Sequence, residues 1–484
     1  MALDLRRLFH PRSVAVVGAS PVPAAGRFDY LHWLSHAGFA GDLHPVNPRY
    51  PEVRGRRCYP GLGDIPGEVD LAILMVPADK TVEVLRDTPA GKLGFAVVVT
   101  SGFNEIGETG LERELVSVAR ARGIRVVGPN CMGIYSRRSR LVQVPDQPCG
   151  PGPGQIAAAG QSGGNALNIV RACIESGIGA AYGASVGNQS DLCLEDFLEW
   201  FDKAEEVKVI AAYVEDFKRG HEFLEMAKEI SLRKPIILWK GGTTPQGSVA
   251  AASHTGALAM PNEVWEGMTR QAGIVPAENL TDVLNLSRAL LWGTLPRGPN
   301  VGLISPGGGA SVILTDCSVR AGLGVPLLDP ATQAELSGFI ARVNTIIHNP
   351  VDLGAASYLP QTLQRTLSAM ARDRAIHALI VYHFIYPFND AGGWELSGQY
   401  LRTVDQARQS TDKPIYVALY CPFQNFPEVD QARREIRGLL NDLKIPYAED
   451  LESCTRMVKR AWDYSRWLRA RKGERAIAGR AASN

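Results

Sequence analysis

Ser13-Val14-Ala15-Val16-Val17-Gly18-Ala19-Ser20 sets a short run of Val and Ala directly in front of a glycine and a hydroxyl residue. A run so short and so apolar reads as a strand buried on both faces, as strands of parallel sheets are. The same signal returns at one-unit intervals. It recurs in Leu43-His44-Pro45-Val46-Asn47-Pro48, in Leu71-Ala72-Ile73-Leu74-Met75-Val76-Pro77, and over residues 95–100 and 126–130. Helix-length amphipathic segments separate these runs, and strands that alternate with helices imply a parallel α/β sheet. Each run ends in Gly, Pro, Ser, Thr or Asn, so the turns gather at the carboxyl edge of one sheet, where ligands bind in open α/β folds.

Residues 145–154 are too rich in Pro and Gly for helix or strand and read as a linker. A second unit follows, with Ile156-Ala157-Ala158-Ala159 running into Gly160-Gln161-Ser162-Gly163-Gly164-Asn165 and a helix. Further strands are expected over 182–186, 207–214 and 235–239, and two helical patterns close the unit near Trp292. Pro296-Arg297-Gly298-Pro299 marks another linker. Beyond it, Val301-Gly302-Leu303-Ile304 leads into Ser305-Pro306-Gly307-Gly308-Gly309-Ala310-Ser311, with later strands expected over 378–382 and 414–419. The tail is expected to be helical over 457–472 and frayed over 479–484. Strand, Gly-rich turn and helix thus recur at Gly18, Gly160 and Gly307, about one domain length apart. The expectation is α/β architecture in three doubly wound domains, over 1–146, 153–294 and 299–473.

Composition narrows the function. With 484 residues, several cores are expected rather than one. The formal net charge of +1 supplies no basic field for nucleic acid. The eight cysteines are scattered without a C-x-x-C pair, which points to reduced thiols and no zinc site. No leader-like or membrane-length apolar run is present, so a soluble cytoplasmic protein is expected, with no membrane and no nucleic-acid partner.

Three turns carry candidate chemistry. The first lacks the G-x-G-x-x-G fingerprint, and strand two ends in Asn47-Pro48-Arg49 where a nicotinamide enzyme needs an acid for the ribose. Arg49 at that place favours a phosphorylated cofactor such as coenzyme A, although a turn that binds nothing fits the same residues. The turns at Gly160 and Gly307 each open a helix, and a helix N-terminus favours an anion by roughly 0.3–1 kcal/mol. Either one alone is equally compatible with a packing turn. No G-x-x-x-x-G-K-[ST] loop exists, since Gly102-Phe103-Asn104-Glu105-Ile106-Gly107-Glu108-Thr109 has Glu where the lysine belongs.

His254 stands in Ala252-Ser253-His254-Thr255-Gly256-Ala257, with hydroxyls on both sides and small neighbours. A histidine that accepts a phosphoryl group presents one neutral nitrogen while the other donates to an orienting group. Glu215 suits that role, because it ends the strand before the one that leads to His254. An incidental histidine and a solvated acid are the plain alternative. The other eight histidines show no metal-ligand spacing, and no metal site is expected.

Together these stretches resemble one family, the α subunits of nucleoside-diphosphate-forming acyl-CoA synthetases, relatives of succinyl-CoA synthetase. The resemblance spans essentially the whole chain. It is carried by residues 13–20, by Val127-Gly128-Pro129-Asn130-Cys131-Met132-Gly133 and by Gly160-Gln161-Ser162-Gly163. Ser185-Val186-Gly187-Asn188, residues 253–259, Pro306-Gly307-Gly308-Gly309 and Asn349-Pro350-Val351-Asp352-Leu353 complete it.

The resemblance implies a Rossmann-like CoA-binding domain followed by two flavodoxin-like domains. Coenzyme A would be held by Gly18, Ala19, Ser20, Arg49, Val76, Pro77, Ser101, Gly102 and Asn130. His254 would be the phosphorylated histidine and Glu215 its carboxylate partner. Gln161, Ser162, Gly163 and Gly164, with Gly307, Gly308 and Gly309, would bind phosphate or acyl phosphate at the two helices that face it. ATP or ADP with Mg2+ would sit on a separate ATP-grasp β subunit, in an α2β2 assembly, and this chain would meet a small carboxylic acid and its CoA thioester. The family more often has Ser-Gln-Ser-Gly-Ala at 160–164 and Asn-Gly-Gly-Gly at the later turn, so the departures bear on the acid rather than on the reaction. A CoA-sensing scaffold without catalysis, and a nicotinamide-dependent oxidoreductase, are the competing expectations.

Overall fold

The computed structural model describes residues 3–22, 28–144, 149, 154–249, 260–341, 343–385, 393–421, 423 and 426–481. The chain divides into two compact units, Met1–Leu280 and Thr281–Asn484. Among the described residues, the first unit holds two large sheets and a two-stranded one, and the second holds one large sheet.

In the first sheet, β1 (Ser13–Val17) lies between β2 (Asp42–Val46) and β5 (Val69–Leu74), and β6 (Leu93–Val98) and β7 (Arg125–Val127) continue outward. All four pairings are parallel. A small hairpin, β3 (Glu52–Val53) with β4 (Arg56–Arg57), stands apart from it. Helices α1 (Arg6–Phe9), α2 (Tyr30–Ala37), α3 (Ala78–Asp87) and α4 (Thr109–Ala121) accompany these strands. Every residue of β1 is buried, as its unbroken apolar run requires. β7 ends at Val127 rather than continuing to residue 130, because Gly128-Pro129 follows and proline has no N–H for the ladder.

The second sheet is built on β9 (Ile156–Gly160), flanked by β10 (Ala180–Ser185) and β11 (Val209–Val214), with β12 (Ile236–Lys240) and β13 (Val275–Ala277) beyond β11. β8 (Ile134–Ser136) adds an antiparallel edge to β10. Its helices are α5 (Gly163–Glu175), α6 (Leu194–Lys203), α7 (Gly220–Ser231) and α8 (Asn262–Ala272). The cores of the two sheets are continuous. Phe9 of α1 stacks on Trp200 with ring centroids 4.4 Å apart and meets the Tyr182 ring edge-on at 5.1 Å. Asp191 ties the second sheet's loops to the first sheet by accepting from Arg120, Arg125 and the Val126 N–H.

In the second unit, α9 (Leu280–Trp292) packs with the C-terminal elements, where Arg456 bonds Asp282 and the Arg288 guanidinium lies 4.2 Å from the Tyr447 ring centre. β14 (Val301–Ser305) is central, between β16 (Val351–Asp352) and β17 (Ala378–Phe384), with β15 (Ile346–Ile347) antiparallel at one edge and β18 (Ile415–Tyr420) and β19 (Tyr447–Ala448) at the other. Helices α10 (Gly308–Arg320), α11 (Pro330–Ser337), α12 (Pro360–Arg372), α13 (Gly393–Gln409) and α14 (Pro427–Asp442) connect these strands. The terminal helix α15 runs Leu451–Ala481, longer than the 457–472 expected, because Ala, Arg, Lys and Glu sustain a helix past the single Gly473.

Counting only the parallel strands, all three large sheets share one order, second-first-third-fourth-fifth. In that order the switch point lies between the first and third strands, and the turn after each of those strands opens onto the ligand crevice. Among the described residues, no helix is long and apolar enough to cross a membrane.

Candidate functional site

At the first switch point, Gly18 follows β1, and Val76 and Pro77 follow β5. Gly18 takes φ +91°, a conformation open to glycine, and its N–H donates to Val46 O at 2.9 Å. A Cβ there would meet Val76 Cγ1 and Met75 O at 3.2 Å, so the two strand ends lie close together. Asn47 closes the turn by donating to Ala19 O at 2.8 Å. Its side chain therefore holds the main chain where an acid would hold a ribose. The backbone N–H groups of Ala19 and Ser20 have no partner among the described residues. Arg49 is exposed, and its guanidinium likewise has none. These are the groups that an anion needs.

The loops after β6 and β7 join the same edge. Thr100 Oγ1 donates to Val76 O at 2.7 Å, and Asn130 N donates to Thr100 O at 3.0 Å. Asn130 adopts the left-handed conformation, φ +58°, that asparagine tolerates best after glycine. Ser101 and Gly102 stand between them, and Glu105 accepts from the Gly102 and Phe103 N–H groups. Burial pushes the Glu105 carboxyl upward, but the hydrogen bonds from Asn188 and these N–H groups outweigh it and hold it below the usual range. Asn188 donates to both Glu105 (2.6 Å) and Glu112 (2.9 Å), which binds the loop after β6 to the turn after β10.

At the second switch point, Gln161 follows β9 and Glu215 follows β11. Glu215 is buried and stands on the face of its strand that Tyr213 shares. The Tyr213 phenol neighbours the Glu215 carboxylate and the Asn165 side chain. Burial first, and the neighbouring carboxylate next, raise Tyr213 to about 12, so at neutral pH it is a donor. The phenol lies over Gly241, where a Cβ would stand 2.2 Å from its oxygen.

β11 and β12 are adjacent and parallel, with Val214 opposite Lys240. The strand that Glu215 ends therefore lies beside the one that leads toward residue 254. Lys240, itself buried, donates to Gly242 O (3.1 Å) and Asn262 Oδ1 (3.0 Å), and Asn262 donates to Thr243 O. Those bonds pin both ends of the segment that carries the histidine. His254 itself lies outside the described residues. Burial lowers the Lys240 ammonium from its ordinary value.

Ser162 is the N-cap of α5, accepting from Asn165 N at 3.4 Å, with Gly163 and Gly164 in the first turn. In the second unit, Gly307 is the N-cap of α10 and has no side chain to cap with. Ser305 Oγ donates to Gly307 O and lies 2.6 Å from Ser311 Oγ. Asp352 Oδ2 lies 3.6 Å from where a Gly308 Cβ would stand. Asn349 fixes this sheet edge, with its amide bonded to Leu303 N, Val301 O and Pro326 O, each at 2.9 Å.

Sequence reasoning missed Tyr213 and quoted Asn188 only as part of a motif, with no role. Tyr213 was within reach, since it lies two positions from Glu215 and so on the same face of a strand. Asn188 gives no such local signal, because its partners are 76 and 83 positions away. His383, next to the aromatic stretch 384–388, is buried against Ser397 and held near 4 by burial, so it is neutral. Residues 386–388 of that stretch lie outside the described residues. Among the described residues, no group of three or more His, Cys, Asp or Glu side chains is placed to hold a metal.

Known proteins match this arrangement throughout. A CoA binding domain matches residues 12–137, a succinyl-CoA ligase like flavodoxin domain residues 153–290, and a Ligase-CoA domain residues 301–430. The subunit alpha of acetate–CoA ligase [ADP-forming] II from Pyrococcus furiosus is 34% identical over 413 residues, which are 84% of this chain and 88% of that protein. The subunit alpha of acetate–CoA ligase [ADP-forming] I from the same organism is 32% identical, covering 96% of this chain and 98% of its own length. A solved structure, the dinucleotide forming acetyl-coenzyme A synthetase 1 of Ca. Korarchaeum cryptofilum in complex with phosphate and ADP, superposes with a TM-score of 0.82. It is 32% identical and is covered to 97%, against 96% of this chain. In fold, in the order of its motifs and over nearly its whole length, the chain belongs to the α-subunit family of the ADP-forming acyl-CoA synthetases.

Proposed function

We propose that this chain is the CoA- and acyl-handling subunit of an acid–thiol ligase. It interconverts acyl-CoA, ADP and phosphate with a carboxylic acid, CoA and ATP. The observation that carries this reading is the Glu215 carboxylate, buried at a switch point beside the Tyr213 phenol and set at the end of the strand next to the one that leads to His254.

Glu215 is assigned to one imidazole nitrogen of His254, and the other nitrogen is assigned the role of phosphoryl acceptor. Tyr213 shares the strand face of that carboxylate. In the forward direction a carboxylic acid oxygen attacks the phosphorus of phospho-His254, the P–N bond breaks and the acyl phosphate forms. The CoA thiolate then attacks the acyl carbonyl and phosphate leaves. The N–H groups at the start of α5 and of α10, at Ser162, Gly163 and Gly164 and at Gly307, Gly308 and Gly309, are assigned to the phosphate oxygens.

Coenzyme A is assigned to the first sheet's edge, its phosphates to Ala19, Ser20 and Arg49, and its remaining contacts to Gly18, Val76, Pro77, Ser101, Gly102 and Asn130. ATP and its Mg2+ belong to a separate ATP-grasp β subunit, in an α2β2 assembly. The domains are assigned to 1–146, 153–294 and 299–473. The relatives named as acetate–CoA ligases make a short-chain acid the first to try.

The test uses this chain with an ATP-grasp partner and ATP labelled on its γ-phosphate. An acid-labile, base-stable label on this chain is expected, and His254→Ala abolishes it. A label of the same size in the mutant removes His254 from the mechanism. CoA binding with no label under any condition turns the chain into a sensor.

A further inference from the structure

Every polar position of the Gln161 side chain is committed to the end of one strand. Oε1 accepts from the backbone N–H groups of Glu215 and Asp216, the latter at 3.3 Å. Nε2 donates to Asp216 O at 2.7 Å and to Asp216 Oδ1 at 2.5 Å. A primary amide offers two acceptor and two donor positions, so none is left over for an anion. The orientation is also fixed: a flipped amide would set its oxygen against a carbonyl and a carboxylate. Gln161 is buried, and its own N–H donates to Tyr213 O.

Asp216 is gathered in from two further directions. Gln189 Nε2 approaches Oδ1 at 3.4 Å and Lys218 Nζ approaches Oδ2 at 3.3 Å. Gln161 and Glu215 follow the two strands of the switch point, so the clamp spans the place where the two strand ends splay apart. A free strand end would let the Glu215 backbone, and with it the carboxylate, drift by the tenths of an ångström that matter for a positioned base.

We propose that Gln161 is a positioning residue for Glu215 and that Asp216 locks Gln161 in that role. The turn's contact with phosphate then falls to the N–H groups of Gly163 and Gly164, not to the Gln161 amide. The inference rests on the reading of Glu215 as the partner of His254.

The test uses the full chain alone and with an ATP-grasp subunit, in Gln161→Ala, Asp216→Ala and the conservative Asp216→Asn, whose amide oxygen still accepts from Gln161. In the chain alone, hydrogen exchange of a peptide over 213–217 is expected to speed up by about tenfold or more in both alanine variants and to stay near wild type in Asp216→Asn. In the complex, with acetyl-CoA, ADP and inorganic phosphate as probes, kcat is expected to fall about 10- to 100-fold while the KM for phosphate stays within about twofold. Asp216→Asn restores kcat to within about threefold of wild type.

A phosphate KM raised about tenfold at unchanged kcat makes Gln161 a phosphate ligand and overturns the proposal. Unchanged exchange overturns it as well. If the Gln161 variant does not fold, the half-buried Asp216 pair decides alone. A wild-type complex that never labels His254 overturns the assigned chemistry, and the exchange result still decides the clamp.

Discussion

Two turns, 160–165 and 305–311, follow the first parallel strand of sheets with the same order, yet they are built differently. In the first, Ser162 caps the helix, Gln161 is tied to the next strand, and a Cβ on Gly163 would stand 2.7 Å from Met132 Cγ. In the second, no side chain caps α10, and among the described residues nothing lies within 4 Å of a Cβ on Gly307 or Gly309. One sequence signal, glycine before a helix, thus answers two physical needs. Gly163 makes room for this chain's own methionine. Gly307 and Gly309 make room for no side chain among the described residues, which leaves their backbone open there.

The braces of the two units also differ, and the larger effects test them. Behind the second turn stands Asn349, a neutral amide that serves three buried backbone groups of the sheet edge. Asn349→Ala orphans Leu303 N, Val301 O and Pro326 O. Each orphaned group costs roughly 1–3 kcal/mol before any relaxation, so a loss of about 3 kcal/mol is expected. Chemical denaturation measures it, and faster hydrogen exchange confined to β14 and its neighbours locates it. A loss below about 1 kcal/mol would mean that water or a rearranged loop replaces the amide.

The brace that ties the loop after β10 to the first sheet is ionic. Asp191, with no side-chain exposure, accepts from Arg120 at 2.8 Å, Arg125 at 2.8 Å and Val126 N at 2.9 Å. Burial pushes its carboxyl up, but the Arg125, Val126 and Arg120 hydrogen bonds outweigh this and hold it below the usual carboxylate range. The folded state therefore releases this proton more readily than the unfolded chain does. The contribution is full above the unfolded pKa and is lost as pH falls through the folded one. Asp191→Asn is expected to cost roughly 2 kcal/mol at neutral pH, less than Asn349→Ala because both arginines reach solvent. It should also flatten the acid side of the stability curve. Asn349→Ala should leave the shape of that curve unchanged, and two variants with the same pH dependence would erase the distinction between the braces.

The same contrast explains what could be read from sequence. The central strands were legible, because buried parallel strands are near-continuous apolar runs such as Val14–Val17 and Ile73–Leu74 in their surroundings. The edges were not. β8, β15, β16 and β19 are two or three residues long and exist only because a neighbouring strand offers its ladder. Glu215 was legible because it directly ends a strand, and its place beside the strand toward residue 254 follows from the register of Val214 with Lys240. The roles of Asn188 and Asp216 depend on distant partners that only the folded chain brings near, whereas Tyr213 shares a strand face with Glu215 two positions on. Gln161 stood inside a recognisable motif, but the motif did not say which way its amide points.

The smallest effect on stability separates the two turns most sharply. Gly163→Ala puts a methyl against Met132, and overpacking of that kind costs typically about 1–3 kcal/mol, offset by up to about 1 kcal/mol of helix propensity. A net loss near 1 kcal/mol is expected, softened because the methionine can shift. Gly309→Ala meets nothing and lies in the first turn of a helix, so it should be neutral or stabilising by about 0.5 kcal/mol. Activity should run the other way. A methyl at Gly309 occupies the space where an anion would approach the backbone, and turnover with the partner subunit should fall about tenfold or more, the scale of one lost oxyanion contact. Denaturation and steady-state kinetics on the same two proteins settle it. If Gly309→Ala keeps full activity, the open glycines of the second turn serve no ligand, and the difference between the two turns is one of packing alone.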